Sequence, residues 1–174
     1  MEIIRKKISI LLIACMMISF LSGPYSVYAE GNIPWSGTGT QTEPYIIENA
    51  DGLAALATSV NGGESYAGKY FKLNSDITYS SAPVGCFSES NSTQLPFCGN
   101  FDGGGHTVTL AMTNDSTTVQ AVTLFGCLGS GASVENIGTT GTITSSGKYS
   151  GGIAGAARDG VVNISNCWSN VEMN

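Results

Sequence analysis

Apolar and polar residues follow three different rhythms along this chain. Residues 8–21 do not alternate: an uncharged run, mostly Ile, Leu, Met, Ala and Phe, separates Arg5, Lys6 and Lys7 from the helix-breaking pair Gly23-Pro24. A positive start, a short apolar run and Ser26-Val27-Tyr28-Ala29 at its end are the zones of a secretory signal peptide cut after Ala29. A spanning helix needs about 20 apolar residues, so this stretch is short for one. Leu12-Ile13-Ala14-Cys15 loosely fits a lipoprotein cleavage site, but residues 16–21 stay apolar where a mature lipoprotein turns polar.

The second rhythm is helical. After a polar lead-in at 30–42, Leu53, Leu56, Ala57 and Val60 fall on one face of a helix, with capping oxygens at Asn49 and Asp51 and a stop at Asn61-Gly62-Gly63. Tyr45-Ile46-Ile47, Tyr70-Phe71-Lys72-Leu73 and Asp76-Ile77 flank it as strands. Residues 43–79 thus read as an N-terminal capping module with one helix.

The third rhythm fills residues 80–174. Short apolar runs broken by Gly, Asn, Ser and Thr predict strands over 107–111, 119–125, 133–137, 141–144, 152–156 and 161–164. Leu124-Phe125-Gly126 returns as Ile153-Ala154-Gly155, and Asn136 returns as Asn166, each roughly 30 residues on. Val108 precedes Val134 by about 26 residues, so the period is about 26 to 30 residues, that of a solenoid whose units stack to bury their apolar faces. Val108, Val134 and Ile164 are expected to form one column, and Leu124 with Ile153 another. Glycine suits the corners of such a coil. No closing cap or wall anchor precedes Asn174, so the natural chain is expected to continue past it.

These residues also carry a family resemblance. Residues 37–47, 53–61 and 69–77 look like the opening module of secreted bacterial β-helix proteins, and Phe101-Asp102-Gly103-Gly104-Gly105-His106-Thr107-Val108 is similar to its first full coil. Leu124-Phe125-Gly126 and Gly152-Ile153-Ala154-Gly155 resemble the Gly-Leu-any-Gly signature of the GLUG repeat, with Ala154 departing from the larger apolar residue usual there. The resemblance covers about 37–172. It implies an all-β fold, a right-handed parallel β-helix in a bacterial, adhesin-like surface protein, and it transfers no catalytic residue.

Charge narrows the partners. Removing residues 1–29 takes away Arg5, Lys6, Lys7 and Glu2, a net +2, so the formal charge goes from −6 to −8. Lys69, Lys72, Lys148 and Arg158 are the mature chain's only Lys and Arg, too few and scattered to neutralise phosphates or an anionic membrane. Nucleic acid and, after signal cleavage, membrane are therefore excluded as partners.

Candidate chemistry is sparse. No CxxC pair exists and His106 is the only histidine, so no zinc set and no cofactor site are read. Cys86 and Cys98 remain open between free thiols and a bridge; Cys127 and Cys167 read as buried thiols. Asp102 and His106 allow an acid/base pair, or Asp102 a calcium ligand, yet read more simply as a tight corner with Asp102 accepting backbone hydrogen bonds. Asp76, Glu89, Asp102, Asp115, Glu135, Asp159 and Glu172 are dispersed, unlike a glycosidase pair, although stacking permits pairing, with Glu135 one residue off the match to Ser165. Trp35, Trp168, Tyr66, Tyr70 and Tyr149 read as packing residues, with a sugar-stacking platform as the alternative. No catalytic, cofactor-binding or metal residue is assigned. The expectation is a secreted or cell-surface module for adhesion, binding or structural display, its partner an extracellular glycan or a host or cell-surface protein. The alternative is the non-catalytic N-terminal part of a secreted polysaccharide lyase, glycosidase or metallopeptidase.

Overall fold

The computed structural model describes residues 34–88, 93–114 and 121–174. The signal stretch, residues 30–33 of the lead-in, Glu89, Asp115 and the start of the strand expected over 119–125 lie outside the described residues. The described chain begins with β1 (Tyr45–Ile47) and α1 (Ala50–Asn61). Asn49 caps the helix by accepting the Gly52 N–H on its side chain at 3.0 Å, and Leu53, Leu56, Ala57 and Val60 form its buried face. The helix stops at Gly62 and Gly63, as expected from the sequence.

Strands then follow in coils: β2 (Tyr70–Leu73), β3 (Ile77–Tyr79), β4 (Cys86–Ser88), β5 (Thr93–Leu95), β6 (Asn100–Asp102), β7 (Thr107–Asn114), β8 (Ala121–Val122), β9 (Phe125–Leu128), β10 (Ser133–Glu135), β11 (Gly138–Ser145), β12 (Tyr149–Ser150), β13 (Ala154–Ala157), β14 (Asn163–Ser165) and β15 (Trp168–Met173). One sheet runs β1-β2-β6-β10-β14 and a second β3-β7-β11-β15; β8-β12 and β9-β13 form short pairs on the remaining side. Every one of these pairs is parallel, which makes the fold an all-β parallel β-helix. The exception is the antiparallel hairpin β4–β5.

Register gives the true period. Phe71, Phe101, Val134 and Ile164 pair in succession up the first sheet, and the step from Phe101 to Val134 is longer than those on either side of it. Ile77, Val108, Thr139 and Ser169 do the same in the second sheet. The expected column of Val108 with Val134 is thus corrected: Val134 and Ile164 do pair, but Val108 stands on the other side of a corner. Each coil carries two successive strands with the same in–out alternation, and alternation alone does not tell one side of a coil from the other. The Leu124–Ile153 match holds, since β9 and β13 pair Phe125 with Ala154 and the Phe125 N–H donates to the Ile153 carbonyl at 2.9 Å.

Inward side chains fill the coil: Phe71, Leu73 and Phe101 from the first sheet, Ile77, Tyr79, Val108, Leu110 and Ile143 from the second, Val84, Phe97, Leu124, Phe125 and Leu128 from the third side. Each fully buried one contributes roughly 1.5–3 kcal/mol by leaving water. The helix lays its apolar face against the same core. Outside it, the β4–β5 hairpin carries Phe87, which packs with Cys127 and Ala121, while the Arg158 guanidinium stands 4.3 Å from the Phe87 ring centre.

Two core positions among the described residues are polar. Thr123 and Thr139 are fully buried, and neither hydroxyl has a hydrogen-bond partner among the described residues. A buried hydroxyl left unpaired costs about 1–3 kcal/mol. Thr139→Val, which keeps the branched shape beside Val108, is therefore expected to raise stability by about 1 kcal/mol. Urea unfolding checks this; a lowered midpoint would contradict it.

Candidate functional site

Corners and the outer face of the second sheet hold the polar side chains that cross from coil to coil. Asp102 ends β6, and its Oδ1 accepts the Gly104 N–H at 2.9 Å and the Asn136 amide at 2.9 Å. The Asn136 Oδ1 in turn accepts the Asn166 amide at 2.7 Å. Asp102, Asn136 and Asn166 thus form a continuous row up one corner, and the two asparagines sit at φ of 55° and 51°. Asparagine tolerates that left-handed conformation because its short side chain bonds locally. Alanine at Asn136 would lose both side-chain bonds and strain the backbone, an expected cost of about 2–3 kcal/mol. Glycine there should cost about half as much, losing only the bonds; equal losses in urea unfolding would contradict the role of conformation.

His106 stands in the same turn but faces a different carboxylate. Its Nδ1 lies 3.3 Å from Asp76 Oδ1, and that oxygen also accepts the Thr107 N–H at 2.9 Å. The Thr107 bond first, and His106 second, hold the Asp76 carboxyl below its ordinary value. A depressed carboxylate stabilises the fold above its unfolded pKa of about 3.9, and this is lost as pH falls through the folded value. Asp76→Asn should accordingly flatten the loss of stability as pH falls below about 4, readable in acid titrations of the unfolding midpoint. The Asp102–His106 pairing considered from sequence is therefore resolved: Asp102 serves the corner, and His106 bridges to the coil below.

Carboxylates are otherwise distributed along the coils. Glu135 pairs directly with both Asp102 and Ser165, which corrects the one-residue offset expected from sequence. The same row contains Lys72 beside Asp102. Sequence reasoning missed this alignment because the true step from β6 to β10 exceeds the period read from the repeats.

Aromatic residues divide into two groups. Trp35 packs against Tyr45, Tyr66 and Phe71 at ring separations of 5.6, 6.0 and 5.3 Å and donates its indole N–H to the Gly52 carbonyl. Tyr66 meets the Ser59 hydroxyl at 2.9 Å, and Tyr149 packs on Phe87 at 5.3 Å. Trp168 is different, being 52% exposed. It stands opposite Gly138, where any Cβ would run into the indole ring. Glycine in the neighbouring strand thus lets the ring lie across the sheet.

Trp168 belongs to the outer face of the β3-β7-β11-β15 sheet. Inward positions are fixed by Val108 with Thr139, Leu110 with Gly141 and Met112 with Ile143, so the alternate positions point out. Thr78, Thr109, Thr140 and Asn170 form one outer row, Ala111, Thr142 and Glu172 the next, and Thr107, Gly138 and Trp168 the row at the corner. The Thr109 and Thr140 hydroxyls are 3.1 Å apart. Strand geometry spaces these rows by about 6.6 Å along the strands and their members by about 4.8 Å across them. Glu172 is the one charged side chain in those rows.

The four described cysteines are free thiols. Cys86 pairs with Leu95 across the hairpin, leaving Cys98 beyond its end. Burial pushes the Cys127 thiol up to about 11 and raises Cys86 and Cys98 as well. Among the described residues no group of three or more His, Cys, Asp or Glu could hold a metal ion, and no helix is long and apolar enough to cross a membrane. Shallow clefts of about 340 Å³ by Ser145, Lys148 and Met173 and about 240 Å³ by Ser80, Pro83 and Val122 lie away from His106 and Asp102. No family model, curated protein or solved structure matches this chain.

Proposed function

We propose that this chain is a bacterial, secreted or cell-surface β-helix module, related to the adhesin-like GLUG-repeat proteins, that binds an extracellular partner or displays one, without catalysis of its own. The observation that carries the reading is the outer face of the β3-β7-β11-β15 sheet, a laddered surface of hydroxyl and amide side chains. A surface of this kind makes many weak, repeated contacts, as suits adhesion. The leader-like order of residues 1–29 in the sequence supports export, and the acidic balance of the chain supports solubility outside the cell. Asp102 supports the same reading, because its carboxylate is already engaged in the corner row.

The test begins with the full chain expressed in a bacterial host. Fractionation should recover it, shortened at Ala29, from the medium or the cell surface. The recovered protein should then bind intact cells or immobilised glycans. Retention in the cytoplasm with an uncut leader would overturn the export reading. Cleavage of any polysaccharide or protein by the purified chain would overturn the non-catalytic one.

A further inference from the structure

We propose that Cys86 and Cys127 are a disulfide site, closed in an oxidising compartment, that ties the root of the β4–β5 hairpin to the next coil. Closure in the cell rests on the export reading; the choice of pair rests on the geometry around Cys127. The coil below β9 runs beside it only in two fragments. Val84 bridges to Phe125 and Phe97 to Leu128, and between them the chain leaves in the hairpin. Gly85 is the point of departure, at φ of 79°, and a Cβ on it would stand 2.6 Å from the Cys127 carbonyl oxygen and 3.3 Å from the Cys127 nitrogen. Cys86 follows by one peptide unit, about 3.8 Å. Phe87, the next residue, packs with Cys127. Cys86 thus lies between two residues that both meet Cys127, an approach on the scale of the roughly 4.4–6.8 Å that a disulfide spans between Cα atoms.

The other pairings are out of register. Cys98 follows Phe97 and so stands level with Gly129, its Sγ 2.6 Å from where a Gly129 Cβ would be. Gly129 is two residues past Cys127, so the diagonal from Cys98 to Cys127 is about 8 Å, beyond the roughly 7 Å limit for a disulfide. Cys86 pairs with Leu95, three residues short of Cys98, which is about 10 Å of extended chain. Cys167 turns its thiol to the Val134 and Ser165 carbonyls of the first sheet. Charge agrees with this choice: burial chiefly raises the Cys127 thiol, and of the neighbouring thiols Cys86 acts on it more than Cys98 does.

The oxidant is a disulfide, carried by a dithiol oxidoreductase in the cell and by oxidised glutathione in solution. Cys86, the more exposed of the pair, gives its proton to water and attacks one oxidant sulfur, releasing the other as a thiolate. Cys127 in turn loses its proton and attacks the Cys86 sulfur, which expels the second oxidant thiolate. Two protons and two electrons leave the protein, and the oxidant ends as two thiols. Cys127 is fully buried once the chain is folded, so the exchange belongs to folding.

The experiment unfolds the full chain in urea with a reductant and refolds it in oxidised and reduced glutathione. The product is digested without reduction and its linked peptides are read by mass spectrometry. The expected result is a peptide joining Cys86 to Cys127, two free thiols fewer and a mass lower by about 2 Da. The oxidised chain should also unfold at higher urea than the reduced one, a gain that Cys98→Ser keeps and Cys86→Ser loses. A Cys86–Cys98 link, or thiols that all stay free, overturns the site. The chain recovered from the medium should carry the same link; reduced thiols there overturn closure on export. Retention in the cytoplasm with an uncut leader overturns the export reading and closure in the cell, while the refolded chain still decides the pair.

Discussion

Gly141→Ala is expected to destabilise the fold by about 4 kcal/mol, the sum of two separate penalties. Gly141 sits in mid-strand in β11, at φ of 96°, where an L side chain is strained by about 1–2 kcal/mol. The space a side chain would take is also occupied: a Cβ would run into the carbonyl oxygen of Leu110 on the neighbouring coil and lie 2.9 Å from the Leu110 nitrogen. Those atoms belong to a ladder of paired backbone and cannot swing aside as a flexible side chain can. Overpacking of this kind adds about 1–3 kcal/mol, near its upper end here. Gly131 provides the control. Its φ is 82° but nothing lies within 4 Å of an added Cβ, so Gly131→Ala should show the conformational penalty alone, about 1–2 kcal/mol. Urea midpoints followed by circular dichroism separate the two; equal losses would mean that Leu110 yields.

Phe71→Ala is expected to cost about 3–5 kcal/mol and to loosen the N-terminal end selectively. The Phe71 ring is 1% exposed and is the hub of the aromatic group, 5.3 Å from Trp35, 5.2 Å from Tyr45, 5.0 Å from Tyr66 and 5.9 Å from Phe97. It also pairs with Tyr45 below and Phe101 above, so it joins the capping segment to the coils. Removing it leaves a void that the rigid rings around it cannot collapse to fill. Trp35 emission should shift to the red in the variant before global unfolding, whereas Phe71→Leu should show a smaller loss and little shift. A variant that unfolds with the wild-type midpoint would remove Phe71 from this role.

Much of the architecture is written in local chemistry. The helix is legible because Asn49, the Leu53-Leu56-Ala57-Val60 face and the two glycines after Asn61 each act within a short stretch of chain. The parallel coil is legible because Leu124-Phe125-Gly126 and Ile153-Ala154-Gly155 recur, and β9 and β13 do pair. Register is less legible. Phe101 is the partner of Val134, but the two differ in size and the step between them is longer than its neighbours, so the eye falls on Val108 instead. The hairpin of β4 and β5 escapes sequence reading for another reason: it is antiparallel and lies outside the repeat, where no periodicity marks it.

The candidate site divides the same way. Asn136 and Asn166 are visible as an echo one coil apart, and the structure joins them at 2.7 Å. The Asp76–His106 bridge also crosses one coil, but between unlike side chains, and leaves no echo in the sequence. Trp168 reads from sequence as a packing aromatic, and the structure lays its ring on Gly138, a residue whose small size matters only once the coils are stacked.

A coil of about 30 residues has a mechanical consequence. One coil advances the molecule along its axis by a single strand spacing, about 4.8 Å, while the same residues drawn straight would reach roughly 100 Å. Under tension the assembly behaves as a stiff spool. Peeling one turn means breaking a whole row of parallel hydrogen bonds, and it releases about twenty times the length that turn had occupied.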